Sequence, residues 1–228
     1  MNRFATHHMT YDLIVLTLSK NDSIRRMTQH CINTCVADAE VHGHRVNVIV
    51  VESGEPTVYD KVDTFVNYEG FFNYNRALNE GLKHRIGDIQ IMANNDLVFC
   101  EGWSKVGPTM KASGYLSASL LDSRIHRFFK INNMAYEGYT IGMQFTGWCL
   151  FADSKVWDII GDLDETHHFW FSDNMYAKQL EDAGIAHALM AIGYVEHLGS
   201  VTHKTMDKAT QRKYVTDEIA KYRANAKI

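Results

Sequence analysis

The chain has 228 residues, enough for one large domain with a buried core. Apolar residues make up 46% and charged residues 22%, ordinary globular values that exclude disordered and fibrous classes. Lys and Arg total 23 against 27 Asp and Glu; the net charge of -4 argues against a nucleic-acid coat protein but leaves room for a local basic patch.

In chain order, residues 1–10 read as a poorly ordered leader. Residues 12–18 (DLIVLTL) form a nearly continuous apolar run, as expected of a strand buried on both faces. Asn21, Asp22 and Ser23 offer N-caps, and Ile24, Met27, Cys31, Ile32, Cys35, Val36 and Ala39 then recur at helical spacing up to Gly43. Residues 46–51 (VNVIVV) predict a second buried strand and 64–67 a short third one. A helix is expected over 74–84, with Ala77, Leu78, Gly81 and Leu82 on one face. Residues 89–93 (IQIMA) predict the next strand, which stops at Asn94-Asn95-Asp96. Successive βα units imply an α/β fold with a Rossmann-like, mostly parallel sheet and helices on both faces. Ligands bind such sheets at the carboxyl ends of the strands. The second half is mixed: helices over 103–112, 154–160, 172–183 and 206–226, and strand-like runs at 115–121 and 139–152. No apolar run of about 18 residues occurs, and the N-terminus MNRFATHHMTYD lacks an apolar signal core, so the expectation is a cytoplasmic protein with no membrane span.

Several common chemistries have no motif here: G-x-G-x-x-G, Walker A, H-E-x-x-H and G-x-S-x-G are all missing. What remains is a set of polar residues at strand ends. Asn94-Asn95-Asp96 closes an apolar strand, where a carboxylate suits a hard divalent cation bridging phosphates, although Asn and Asp also favour turns. Glu52 ends the second strand, either as a ligand acceptor or as a turn residue. Asp173, in FWFSDN, falls in the first turn of a helix, where it is either a dipole-stabilised base beside aromatic walls or, with Ser172, a helix cap. His197, in YVEHLGS, is either a metal ligand or a structural histidine. His167-His168 reads as a loop. Arg124, His126, Arg127 and Lys130 surround Phe128-Phe129, a pattern that binds sugars or phosphates or forms a solvated face.

The order of these segments resembles the family 2 glycosyltransferases of the GT-A fold, over residues 11–203. YDLIVLTLSKND resembles that family's first strand and nucleotide-contacting turn, VIVVESG its second strand and acidic residue, and NYNRALNEG the segment before its metal motif. IQIMANND is similar to the D-x-D strand in N-N-D form. TGWCLFADSKVWDIIGDLDE, WFSDNMYAKQLEDAG and VEHLGS resemble its acceptor, acidic-pair and late-histidine segments.

The resemblance implies a single GT-A domain with a nucleotide-sugar-binding half at 11–100 and an acceptor and catalytic half at 101–203, followed by a C-terminal helix at 204–228. It implies a manganese or magnesium ion on Asp96 and His197, and a nucleoside-diphosphate sugar, most commonly UDP-linked, contacted by Thr17, Ser19, Glu52, Arg76, Asn94 and Asn95. Asp173 would be the general base of an inverting, single transfer, with Trp148 and Trp170 at the acceptor. The acceptor is a glycan, a small molecule or a modified nucleobase, and oligomers are allowed. Ser172 stands where the family carries a glutamate, which also admits a degenerate domain that binds nucleotide sugar or glycan without turnover.

Overall fold

The computed structural model describes residues 8–199 and 208–225. Its elements are β1 (Thr10–Thr17), α1 (Asp22–Val41), β2 (Arg45–Glu52), β3 (Thr64–Asn67), α2 (Tyr74–Leu82), β4 (Ile89–Asn94), β5 (Leu97–Phe99), α3 (Val106–Ser113, after a 3-10 turn at Trp103–Lys105), β6 (Ser117–Asp122), β7 (Ala135–Glu137), β8 (Cys149–Asp153), α4 (Lys155–Ile160), α5 (Ser172–Asp182), β9 (His187–His197) and α6 (Lys208–Asn225). The first strand therefore begins at Thr10, and Met9 before it is buried. Residues 1–7 of the expected leader lie outside the described residues, as does the expected boundary at 203.

Among the described residues nine strands form one sheet, in the order β3-β2-β1-β4-β8-β6-β9-β5, with β7 beside β9. The first four strands of that order are parallel to their neighbours. Beyond β4 the pairing is mixed: β8 runs antiparallel to β4 and β6, and β9 parallel to β6. The alternation of side chains along a strand sends Leu13 and Val15 to one face and Ile14 and Leu16 to the other. One face packs on Cys31, Cys35 and Val36 of α1 and Met110 of α3, the other on Leu78 of α2, Trp157 of α4 and Leu180 of α5. Both faces of the central strands are thus covered, which is why their sequences read as unbroken apolar runs.

Because β1 lies between β2 and β4, the chain reverses its winding direction there. The carboxyl ends of β1 and β4 consequently leave a crevice between them. Thr17 ends β1 opposite Glu52, and Asn94 ends β4 opposite Leu16. The same edge of the sheet carries the ends of β6 and β9, at Asp122 and His197. Residues 139–152, expected as strand-like, are extended in the sheet only from Cys149; the rest is a connection that turns at Thr146–Cys149, where Cys149 N–H donates to Thr146 O at 3.0 Å. No helix among the described residues is long and apolar enough to cross a membrane.

Candidate active site

At the end of β1 the polar residues form a closed network. Asn95 donates through Nδ2 to Thr17 Oγ1 at 3.2 Å and Thr28 Oγ1 at 3.0 Å. Glu52 Oε1 accepts the backbone N–H groups of Ser19 at 2.8 Å and Gly54 at 2.7 Å, while Oε2 lies 3.3 Å from the Tyr59 hydroxyl. Ser19 Oγ in turn bonds the Tyr59 hydroxyl. Gly54 is required for this approach, because a Cβ there would sit 2.8 Å from Ser19 N. Thr17, Ser19, Glu52 and Asn95 are all buried. Their polar groups therefore hold together the loops that follow β1 and β2, and the structure brings these four sequence-derived residues to one place.

Past Asn95 the crevice opens toward β9. Asp96 Oδ1 lies 3.2 Å from His197 Nε2, with both side chains almost buried. His197 reaches this position as the last residue of β9, paired with Leu97 of β5, and its backbone N–H donates to Asp122 Oδ2 at 3.2 Å. The Trp148 ring stacks flat on the His197 ring, 5.0 Å between centroids and 9° between planes. Trp148 thus sits at the Asp96 end of the crevice; its buried Nε1 has no hydrogen-bond partner among the described residues, and His197 Nε2 has none that is well directed. Trp148 O accepts Asn94 N–H at 2.9 Å, which fixes the turn over the end of β4.

Asp173 packs against Gly147, the residue before Trp148. It lies in the first turn of α5, but neither it nor Ser172 is the cap expected as the plainer alternative: the cap is Phe171, at φ +66°, with no side-chain cap bond. An aromatic residue in the left-handed region costs about 1–2 kcal/mol. Asp173 Oδ1 accepts Asn174 N–H at 3.0 Å. Burial holds its carboxyl above the usual carboxylate range, partly offset by backbone N–H groups. The carboxylate lies against Gly147, where a Cβ would come within 2.6 Å of Oδ2, so only glycine leaves it this room. Ser172 is buried, its Oγ without a partner among the described residues.

Tyr74, which the sequence reading passed over, joins the two sides. Its hydroxyl donates to Asn94 Oδ1 at 2.8 Å and lies 3.3 Å from Gly147 O. Its pKa is pushed up first by burial and then by the charges of Asp173 and Asp96, so both carboxylates are felt at this one oxygen. Asp122 was also missed, although it ends β6 as Glu52 ends β2; its Oδ1 accepts Arg124 and Ile125 N–H at 2.8 and 3.1 Å. The strand-end signal that marked Glu52 marks it too.

Arg76 stands apart from this cluster. Two positions from Tyr74 on a helix is about 200° of rotation, so the two side chains leave α2 in nearly opposite directions. Arg76 Nε pairs with Glu165 Oε2 at 2.8 Å, half exposed, rather than turning toward Asn94. Trp170 lies at the rim against Phe169, 5.3 Å away edge to face, and Phe169 meets Tyr74 at 6.3 Å. The basic cluster is on the same edge: Arg124 Nη1 donates to His197 O at 2.6 Å, Phe128 is 87% exposed, and His126 is buried as an anchor of the loop.

No protein-family model and no curated protein sequence matches the chain. Solved structures do. The catalytic domain of Drosophila β1,4-galactosyltransferase 7, in complex with xylobiose, matches with a TM-score of 0.57 at 13% identity, over 88% of this chain and 75% of that one. The protein has the GT-A glycosyltransferase fold. GalNAc-T7 with UDP, GalNAc and Mn2+ matches with a TM-score of 0.60 at 10% identity, over 83% of this chain but only 43% of that one. A variant of the Drosophila enzyme with manganese, UDP-Gal and xylobiose matches with a TM-score of 0.50 at 11% identity, over 87% of this chain and 75% of that one.

The described side chains fit a substrate-bridging cation better than an enclosed one. No group of three or more His, Cys, Asp or Glu among the described residues could hold a metal, whereas Asp96 and His197 bring one oxygen and one nitrogen within 3.2 Å of each other. Magnesium-type sites often use one or two carboxylates and take their remaining ligands from substrate phosphates and water.

Proposed function

We propose that the protein is a divalent-cation-dependent, inverting glycosyltransferase, similar to family 2, that moves one sugar from a nucleoside-diphosphate donor, UDP-linked in the first instance, to an acceptor hydroxyl. The observation that carries this reading is the Tyr74 hydroxyl, which donates to Asn94, two residues before Asp96, and lies 3.3 Å from the carbonyl oxygen of Gly147, against which the Asp173 carboxylate packs. One carboxylate suits the leaving diphosphate and the other suits the attacking hydroxyl.

Asp96 and His197 would hold manganese or magnesium with the donor diphosphate, and the ion would neutralise charge on the departing group. Trp148, stacked on His197, offers its unpartnered Nε1–H to the donor at the same end. The buried network of Thr17, Ser19, Glu52 and Asn95 shapes the nucleoside side chiefly through the backbone it fixes. Asn94, held by Tyr74, borders both substrates. Asp173 takes the acceptor proton as the acceptor oxygen bonds to the anomeric carbon and the bond to the diphosphate oxygen breaks. Attack from the face opposite the diphosphate inverts the anomeric configuration. Its burial makes Asp173 a stronger base than an exposed aspartate, which favours proton transfer near neutral pH. Trp170 and Phe169 form the aromatic wall along which the acceptor enters.

The test is calorimetry with a panel of nucleoside diphosphates, with and without manganese, followed by turnover with the matching sugar donors. Wild type is expected to bind one nucleotide in a metal-dependent way, and Asp96→Ala to lose that binding. Asp173→Asn is expected to keep it while turnover falls by roughly 10²–10⁴. A folded wild type that binds no nucleotide would sink the proposal. Binding without turnover by wild type would instead favour the degenerate-domain reading that the buried Ser172 allows.

A further inference from the structure

The helix α6 contacts the segment before α5 through one face. Glu218, Lys221 and Tyr222 stand at i, i+3 and i+4, so they project together. Glu218 Oε2 lies 2.7 Å from His167 Nδ1, a pair that is almost wholly buried, and both its oxygens lie 3.3 Å from His168 N. Lys221 Nζ bonds Thr166 O. Tyr222 stacks face to face on Phe171, 4.3 Å between centroids and 8° between planes, and both rings meet His167. The same segment is tied to α2, since Tyr74 N–H donates to His168 O at 2.7 Å.

Phe171 is the residue in the left-handed conformation from which α5 starts, two residues before Asp173. An L side chain adopts that conformation only when its surroundings hold it there. The flat contact with Tyr222 is such a restraint. We propose that α6 is a positioning element for Asp173, with Tyr222 as the positioning residue: by stacking on Phe171 it holds the turn that aims the first turn of α5 at Gly147 and Tyr74. The inference rests on the reading of Asp173 as the base. It assigns a role in the reaction to a helix far along the chain from the donor-binding strands.

The experiment compares Tyr222→Ala, Tyr222→Leu and Tyr222→Phe in the full chain. Leucine fills the space and suits a helix but cannot stack, so it keeps the test open if the alanine variant fails to fold. The first readout is kcat against donor KM. Alanine and leucine are expected to lower kcat between about tenfold and a hundredfold, as for a base displaced by about 1 Å, with donor KM unchanged, and phenylalanine to restore wild-type kcat. The second readout needs no substrate: the carbon-13 signal of the Asp173 carboxyl, followed against pH. Its midpoint is expected to fall in the alanine and leucine variants and to stay in the phenylalanine variant. Folded Tyr222→Leu with wild-type kcat and wild-type Asp173 titration would overturn the inference. If Asp173→Asn leaves turnover intact, the base reading fails, yet the titration still decides whether Tyr222 positions Asp173.

Discussion

The two sides of the crevice are built on opposite plans. On the β1–β2 side every named polar group is spent inside the protein: Glu52 accepts two backbone N–H groups, and Asn95 bridges two threonine hydroxyls. On the other side polar atoms are left over. Of the buried side-chain polar atoms without a partner among the described residues, all but Arg25 Nε belong to residues 144–197, including Trp148, Ser172 and His197. The backbone differs as well, since Phe171 sits in the left-handed region beside Asp173. A saturated network gives a rigid floor at little cost in stability, whereas unpaired atoms and strain are tolerated where a ligand is to complete the site. The contrast teaches that the β1–β2 end is held in shape by its own bonds, whereas unused hydrogen-bonding capacity is found at Trp148 and His197, beside Asp96.

The sharpest way to break this contrast is Glu52→Ala. It strips the acceptor from one buried and one half-buried N–H group, for an expected loss of about 3 kcal/mol. For a chain of this size the midpoint of thermal unfolding should fall by roughly 6–12 °C. Glu52→Gln, which keeps an acceptor oxygen, should fall much less. An unchanged unfolding midpoint in Glu52→Ala would mean that the carboxylate serves the ligand and not the floor.

A smaller effect of the opposite sign is expected at Asp173. Burial raises its pKa in the folded protein above the unfolded value. The stability linked to this group is therefore full below the unfolded pKa and is lost as pH rises through the folded one. At neutral pH Asp173→Asn removes an ionised, partly desolvated carboxylate, so the variant should melt at a higher temperature than wild type. The gap should close as the pH is lowered toward the unfolded carboxylate pKa of about 4. Thermal melts of both proteins across that range check it, and a gap independent of pH would show that the carboxylate is not the cause.

The legible part of the sequence was the side that is saturated and regular. Long apolar runs mark β1, β2 and β4, helical spacing marks α1, and strand-end position marks Glu52; the same signal also reaches Asp96 and His197 on the other side. Asp122 lies one residue beyond the apolar run over 115–121, so the apolar pattern alone does not reach it. Harder to see was whatever depends on partners distant in sequence. His167 read as a loop residue, yet it is buried against Glu218, 51 positions later. Tyr74 looked like the start of a helix, and its role depends on Asn94 and Gly147. Nothing in the local pattern reports that Phe171 is left-handed, because aromatic residues are not turn formers. β5 and β7, three residues each, are too short to show a period.

Arg76 gives the smallest expected effect. A resemblance to a family places an arginine near the donor phosphates, but helix geometry sends this one away from Tyr74 and into an exposed pair with Glu165. Such a pair is screened by solvent and has little effect on stability. Arg76→Ala should leave both the unfolding midpoint and the donor dissociation constant at wild-type values, in contrast to Asp96→Ala. A clear weakening of donor binding in Arg76→Ala would mean that Glu165 releases the guanidinium when donor arrives, and the donor side would then have to rearrange on binding. The polar groups of Glu52 and Asn95 are bonded within the protein, so the expectation is that it does not.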